Sequence, residues 1–308
     1  MLRALMIGSV TCLTAMVCAA PALAAGVTLK TGLEQGRQTQ YQYVQTIAVE
    51  QIATVPEGDL VTEKHSLETK ATFLVKITKV SADGTGEGTM TVRSITARQE
   101  NPDGPLTMVF DFTKAQPAGG EGLAAFEAAI AGSTISFEVD ASGDVQVVRG
   151  LDKIQETIVG AGPIPQTMRT FFDPMAMTQM LSVLFRAEGG IGDRELGATW
   201  NSSKRVPFGP AGALELNTTN ALQIADTSMA AIASATQIDL FVPREPGEGV
   251  ARVELGAADG QGLTQWDVTR GGLISHVNTQ NIATTWTIAD RKVAQTQTSK
   301  TEIKRSGD

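Results

Sequence analysis

Cysteine is nearly absent from this 308-residue chain, and both copies, Cys12 and Cys18, fall within the first two dozen residues. A mature chain without thiols has no disulfides, no cysteine nucleophile and no thiolate metal site. Histidine is almost as scarce, with His65 and His276 the only imidazoles available as bases or ligands. Aromatics make up 5% of the residues, and no apolar run after the leader is long enough to span a bilayer, so a transmembrane anchor is not expected. Catalytic signatures are missing too: there is no G-x-S-x-G elbow, H-E-x-x-H helix, Walker A loop or Rossmann fingerprint after a strand. No cofactor is implied, and the reading leans away from an enzyme.

What is present begins with a targeting segment. Arg3 supplies the positive start, Leu5 to Val17 the apolar run, and Ala22-Leu23-Ala24 an A-x-A signal, which predicts cleavage after Ala24 and a periplasmic or secreted product. A lipoprotein alternative, with Cys18 acylated after Ala15-Met16-Val17, is disfavoured because Val17 is branched where a small side chain is wanted. Loss of Arg3 leaves 24 Lys+Arg against 33 Asp+Glu. That acidic balance makes nucleic acid an improbable partner. Residues 25–308 are long enough for a core without staples. They read as a single mostly-β domain or as two β-blocks, about 37–150 and 195–304, joined by a helical segment at about 151–190.

The clearest local signal is Ile135 to Gly150. Ile135, Phe137 and Val139 alternate with Ser136, Glu138 and Asp140, Ala141-Ser142-Gly143-Asp144 supplies a turn, and Val145 and Val147 restart the alternation. This predicts a β-hairpin. Before it, strands are expected at Tyr41–Val49, Val61–Val80 and Gly88–Arg98, joined as a meander through turns at Pro56–Asp59 and Ser81–Gly84. A short strand at Val109–Phe112 and a helix at Leu123–Ala131 follow, and a further helix is expected at Leu151–Val159. The best helix starts at an Asp173 N-cap with Pro174 at the first position. Met177, Met180, Leu181, Leu184 and Phe185 then form one apolar stripe. From Leu196 the chain returns to strands, with turns expected at Asp259-Gly260, Gly271-Gly272 and Asp290-Arg291. The Thr-rich strand Val293–Ile303 looks like an exposed edge. The fold class is therefore mainly β with an α+β character: long antiparallel strands forming a curved sheet or half-barrel, with a helical middle packed on it.

Candidate chemistry is sparse. Glu63 and His65 would share a strand face near Glu68, but a solvated face explains them better than a metal site. Asp140 and Asp144 flank a turn, and turn chemistry accounts for them better than calcium, because the EF-hand ladder is missing. Asn201-Ser-Ser203 and Asn217-Thr-Thr219 match the glycosylation sequon. The helix stripe has two readings: a flexible Met-rich wall for apolar ligands, or simply the face that packs on the sheet. Trp200, Trp266 and Trp286 carry the same pair of readings.

The order of these features resembles an uncharacterised family of exported, mostly-β bacterial proteins. The shared elements are the meander, the strand-turn-strand Ile135–Gly150, the helices, Gly197-Ala-Thr-Trp200, and the segment Gly262-Leu-Thr-Gln-Trp266-Asp-Val-Thr-Arg270-Gly271-Gly-Leu273. The resemblance implies no catalytic residues. The architecture is also similar to the half-barrels of periplasmic lipoprotein carriers of the LolA and LolB type, though no motif specific to them is present. The leading expectation is non-catalytic binding of an apolar ligand, a lipid or lipoprotein acyl chain, between sheet and helix, with Met177, Met180, Leu181, Leu184 and Phe185 as its wall. Alternatives are an interaction protein presenting a sheet edge or face to an envelope partner, and a hydrolase whose carboxylates assemble in space. Oligomeric state is not legible.

Overall fold

The computed structural model describes residues 26–54, 60–101, 104–112, 121–131, 133–160, 164, 166–188, 190–208, 212–241, 252–288 and 291–307. The leader, both cysteines and the turn expected at Pro56–Asp59 lie outside them. Among the described residues fourteen strands and four helices follow in order. The first block holds β1 (Gly26–Leu29), β2 (Gln38–Thr54), β3 (Leu60–Val80), β4 (Gly86–Asn101) and β5 (Gly104–Asp111), then α1 (Glu121–Ala131). The hairpin β6 (Ile135–Val139) and β7 (Val145–Arg149) leads into α2 (Asp152–Gly160), α3 (Gln166–Phe171) and α4 (Pro174–Phe185). The second block is β8 (Gly192–Glu195), β9 (Thr199–Pro207), β10 (Ala213–Ala225), β11 (Met229–Phe241), β12 (Arg252–Asp267), β13 (Gly272–Ile288) and β14 (Arg291–Gly307).

Among the described residues twelve strands form one curved antiparallel sheet that does not close into a barrel, in the order β7-β6-β4-β3-β2-β14-β13-β12-β11-β10-β9, with β5 also on β4. The two β-blocks are stitched by β2 and β14, which pair from Gln40↔Gly307 to Ala53↔Val293. The expected edge strand is thus central: β14 is flanked by β13 and β2, and its threonines lie in a ladder. Composition misled here because Thr suits any pleated, half-buried surface, not only an edge. A second correction concerns Asp259-Gly260. These residues form no turn; β12 runs straight through them, with Asp259 opposite Asn281 and Gly260 opposite Gln280.

The helices cover one face of the sheet at one end. There Tyr41, Tyr43, Ala71, Phe73, Val75, Met90 and Ile95 alternate inward and are buried. Against them lie Phe126 of α1, Ile154 of α2, Met168 and Phe171 of α3, and the stripe of α4. Aromatic edges tie the layers, with Tyr43–Phe171 at 5.3 Å and Phe126–Phe172 at 6.1 Å between ring centroids. At ~1.5–3 kcal/mol per fully buried large side chain, this end supplies most of the driving force.

The hairpin stands at the sheet margin and is clamped to α4. Asp140 caps its own turn, accepting hydrogen bonds from the Ser142 and Asp144 amides at 2.9 and 3.0 Å. Gly143 has φ +87°, and a Cβ there would sit 2.3 Å from the Phe185 carbonyl oxygen. Only glycine meets both demands.

Candidate functional site

The inner face of the sheet continues well beyond the helices, and register shows what lines it. At its base, the five stripe residues Met177, Met180, Leu181, Leu184 and Phe185 are all buried in the main core. Asp173 caps their helix as the sequence predicts, accepting from the Met175 and Ala176 amides at 3.0 Å. A ligand touching this stripe would have to displace α4 from the sheet. The residues that leave α4 reach the accessible part instead. Arg186 grips both carboxylate oxygens of Asp144, so that aspartate serves an ion pair as well as a turn. Glu188 turns toward β12 and β13: the Thr264 hydroxyl donates to its Oε2 at 3.5 Å, and His276 Nδ1 lies 3.9 Å away. Thr264 Oγ1 and His276 Nδ1 are themselves 2.9 Å apart, and Trp200 donates its indole N–H to the Glu188 carbonyl at 3.3 Å. Burial holds the His276 imidazole below its ordinary value, with Glu188 pulling the other way.

Above this base runs a belt of neutral hydrogen-bonding side chains. Asn220, Ser234, Asn278, Thr301, Gln45 and Thr69 occupy one row of the ladder, interrupted only by Gly262. A Cβ on Gly262 would meet Ser234 Oγ at 2.5 Å, so the glycine lets its two neighbours lean together. Gly260, one row further out, sits under Thr236 and Gln280 in the same way. Small residues on the inner side of β12 relieve crowding where the sheet rolls. The roll is visible at the far end, where Phe208 after β9 and Trp286 of β13 approach to 5.8 Å between centroids. Four strand spacings on a flat sheet would be ~19 Å. Near them Leu214 and Ile238 are buried, apart from the main core cluster.

Charge is segregated by face. From β9 to β13 above the base, Arg205, Glu215, Asp239, Arg252, Glu254 and Asp259 all alternate to the outer face, several in mutual pairs such as Arg205–Glu215 at 3.2 Å. Among the described residues of that span, Lys204 is the one fully charged side chain on the inner face, directly across from Leu216. It is open to solvent within the trough that this curved face forms, and neighbouring protein displaces part of the water around it. Desolvation therefore lowers its pKa, Glu188 and Asp144 oppose the shift, and Arg186 adds to it.

The remaining sequence candidates separate. Glu63 and His65 do share the inner face of β3, 3.5 Å apart, while Glu68 pairs with Lys70 on the outer face at 2.8 Å. Among the described residues no three His, Asp or Glu side chains gather as a metal site would require. Asn201 and Asn217 point outward and border a shallow groove of about 740 Å³ on β9–β12. Trp266 is fully buried and donates to the Lys30 carbonyl, a core role. Lys204 and Glu188 escaped the sequence reading. The alternation Ser202-x-Lys204-x-Val206 groups the lysine with one face, but only the ladder says that this face is the inner one.

No protein-family model matches the chain, and no curated protein matches it by sequence. Among solved structures, one of lipovitellin, concerned with lipid–protein interactions, aligns at 10% identity and a TM-score of 0.46. It covers 89% of this chain, which spans 25% of the lipovitellin chain. An outer-membrane channel from Pseudomonas putida F1 aligns at 8% identity over 90% of this chain and 98% of its own, with a TM-score of 0.22. Pseudomonas aeruginosa OccK7 aligns at 7% identity over 87% and 99%, also at 0.22. The structural neighbours are thus lipid-associated or outer-membrane β proteins at low identity. No helix among the described residues is long and apolar enough to cross a membrane.

Proposed function

We propose that this is a non-catalytic binding protein of the cell envelope, exported by its N-terminal leader, whose amphiphilic ligand lies along the inner face of β9–β13. The observation that carries the reading is the segregation of charge: the outer face bears the ion pairs, whereas the inner face carries one charge, Lys204, beside a neutral polar belt and then half-buried Leu216 and Ile282 next to buried Leu214 and Ile238. A surface that carries a single charge while remaining partly open suits a ligand made mostly of hydrocarbon and polar parts. The α4 stripe supports that trough from below and contacts a ligand only if α4 lifts.

Neighbouring residues on opposite faces provide the test. Ile282→Asp places a charge in the trough, and Asn281→Asp places one outside it. In a titration with a fluorescent alkyl probe, the first substitution should weaken binding at least ~10-fold and the second should leave it unchanged. Native mass spectrometry of the detergent-free protein should show a stoichiometric apolar adduct. Absence of both adduct and probe binding, or equal loss in the two variants, would remove the proposal.

A second reading has its own observation. Among the described residues β9 pairs only with β10, so its other side is an open edge on which a strand of an envelope partner would fit.

A further inference from the structure

We infer that Lys204 anchors the head of this ligand, and that the ligand is a single-chain amphiphile ending in an anion, a carboxylate or a phosphate. The inference rests on the trough reading and deepens it. Three observations converge. First, the charges around the base are matched and the lysine is not: Arg186 holds Asp144, Arg305 holds Asp267 at 3.0 Å, and Glu188 accepts from Thr264, whereas Lys204 makes no hydrogen bond or ion pair with the described residues. An exposed ammonium that faces Glu188 and Asp144 but is bonded to neither is free to take an arriving anion. Second, its position along the strand fits a head at the polar end of the trough. Ser202 and the belt lie on its base side, Leu216 lies directly across from it, and Val206, Leu214 and then Phe208 with Trp286 lie toward the opposite end. Third, the distance from Lys204 to Phe208 is four residues of strand, ~13 Å, enough for an alkyl chain of moderate length.

Glu188 lies within electrostatic reach of Lys204 and opposes any anion. That opposition gives the experiment two signs. Dodecanoic acid, dodecyl phosphate and dodecanol are titrated by probe displacement against the wild type, Lys204→Gln and Glu188→Gln. Glu188→Gln is isosteric and Lys204→Gln shortens an exposed side chain, so both variants should fold, which circular dichroism checks. The wild type should bind the charged chains roughly tenfold more tightly than the alcohol. Lys204→Gln should abolish that preference and leave dodecanol binding intact, and Glu188→Gln should increase the preference. Stronger binding of the acid points to free fatty acids as the source, stronger binding of the phosphate to lipid-derived phosphates, and either supports the anchor. Equal binding of acid and alcohol by the wild type, or a preference that survives Lys204→Gln, overturns the anchor and leaves the trough standing. Failure of all three chains to bind the wild type sinks both.

Discussion

Strand β3 passes through both halves of this molecule and shows how they differ. From Thr69 to Ile77 its alternate residues are buried, and Ala71 to Ile77 join the main core beneath the helices, whereas from Leu60 to Lys64 it is exposed on both faces. The sequence of the strand anticipates the change, because Ala71, Phe73, Val75 and Ile77 give way to Val61, Glu63, His65 and Leu67. The same transition occurs in β13, from buried Leu273 and His276 to half-buried Gln280 and Ile282. One end of the sheet has spent its apolar surface on the helices. The other has kept a partly open inner face, and a binding protein needs that division: a rigid base to set geometry, and a surface not satisfied by the protein's own side chains.

Substitutions can sharpen or break this contrast. The largest effect should come from Leu184→Asp, which buries a carboxylate in the main core; it should abolish cooperative unfolding, whereas Ile282→Asp in the open half should leave a normal denaturation curve. If both unfold the protein, the open half is also core and the division is false. Next, Gly143→Ala should cost more than ~1 kcal/mol, because it opposes a positive φ and collides with the end of α4, a loss readable as a lower urea midpoint. Acid should act in two steps. His276 has its pKa held below its ordinary 6.5, so the unfolded chain takes up a proton first, and stability present above that value should fall as pH drops below it. His276→Gln should flatten that step. Asp140 and Asp267 follow. Burial raises both, but hydrogen bonds from Ser142 and Gln146 to the first, and from Thr269 and Arg305 to the second, outweigh it and leave each below the ordinary 3.8. Their stabilisation is present above that value and is lost as pH falls further. The smallest effect should be Asp144→Asn, about 1 kcal/mol or less in urea, since the Arg186 pair is partly solvated.

The local signals were legible and the non-local ones were not. A capping aspartate, a proline at the first turn and an apolar stripe lie within thirteen residues, and α4 begins where they say, although it stops at Phe185, short of the Gly189-Gly190 pair that reads as its terminator. The hairpin likewise follows from alternation and one glycine. In contrast, β12 carries an Asp-Gly pair that reads as a turn, because the demand that selects Gly260 comes from Thr236 and Gln280 on neighbouring strands. The position of β14 in the sheet centre depends on pairing across some 250 residues with β2, which no window of sequence contains. The α3 helix was missed because six residues beside two prolines carry too little periodicity. The predicted ligand wall was legible as a stripe, and the structure places it in the core; the trough beside it became visible only when the strands were aligned.

The placement of β14 also governs the order in which this sheet can be assembled. Strand β2 emerges early in synthesis and must wait, with one side unpaired, until the residues from Arg291 to Gly307 have arrived. Until then the molecule is two sheets with facing raw edges, each a template for misassociation. Folding that hinges on so late a strand is slow and has high contact order. A chaperone that shields β2 and β13, or a peptide copy of β14 added in trans, would therefore act on the yield of the protein more than on its final stability.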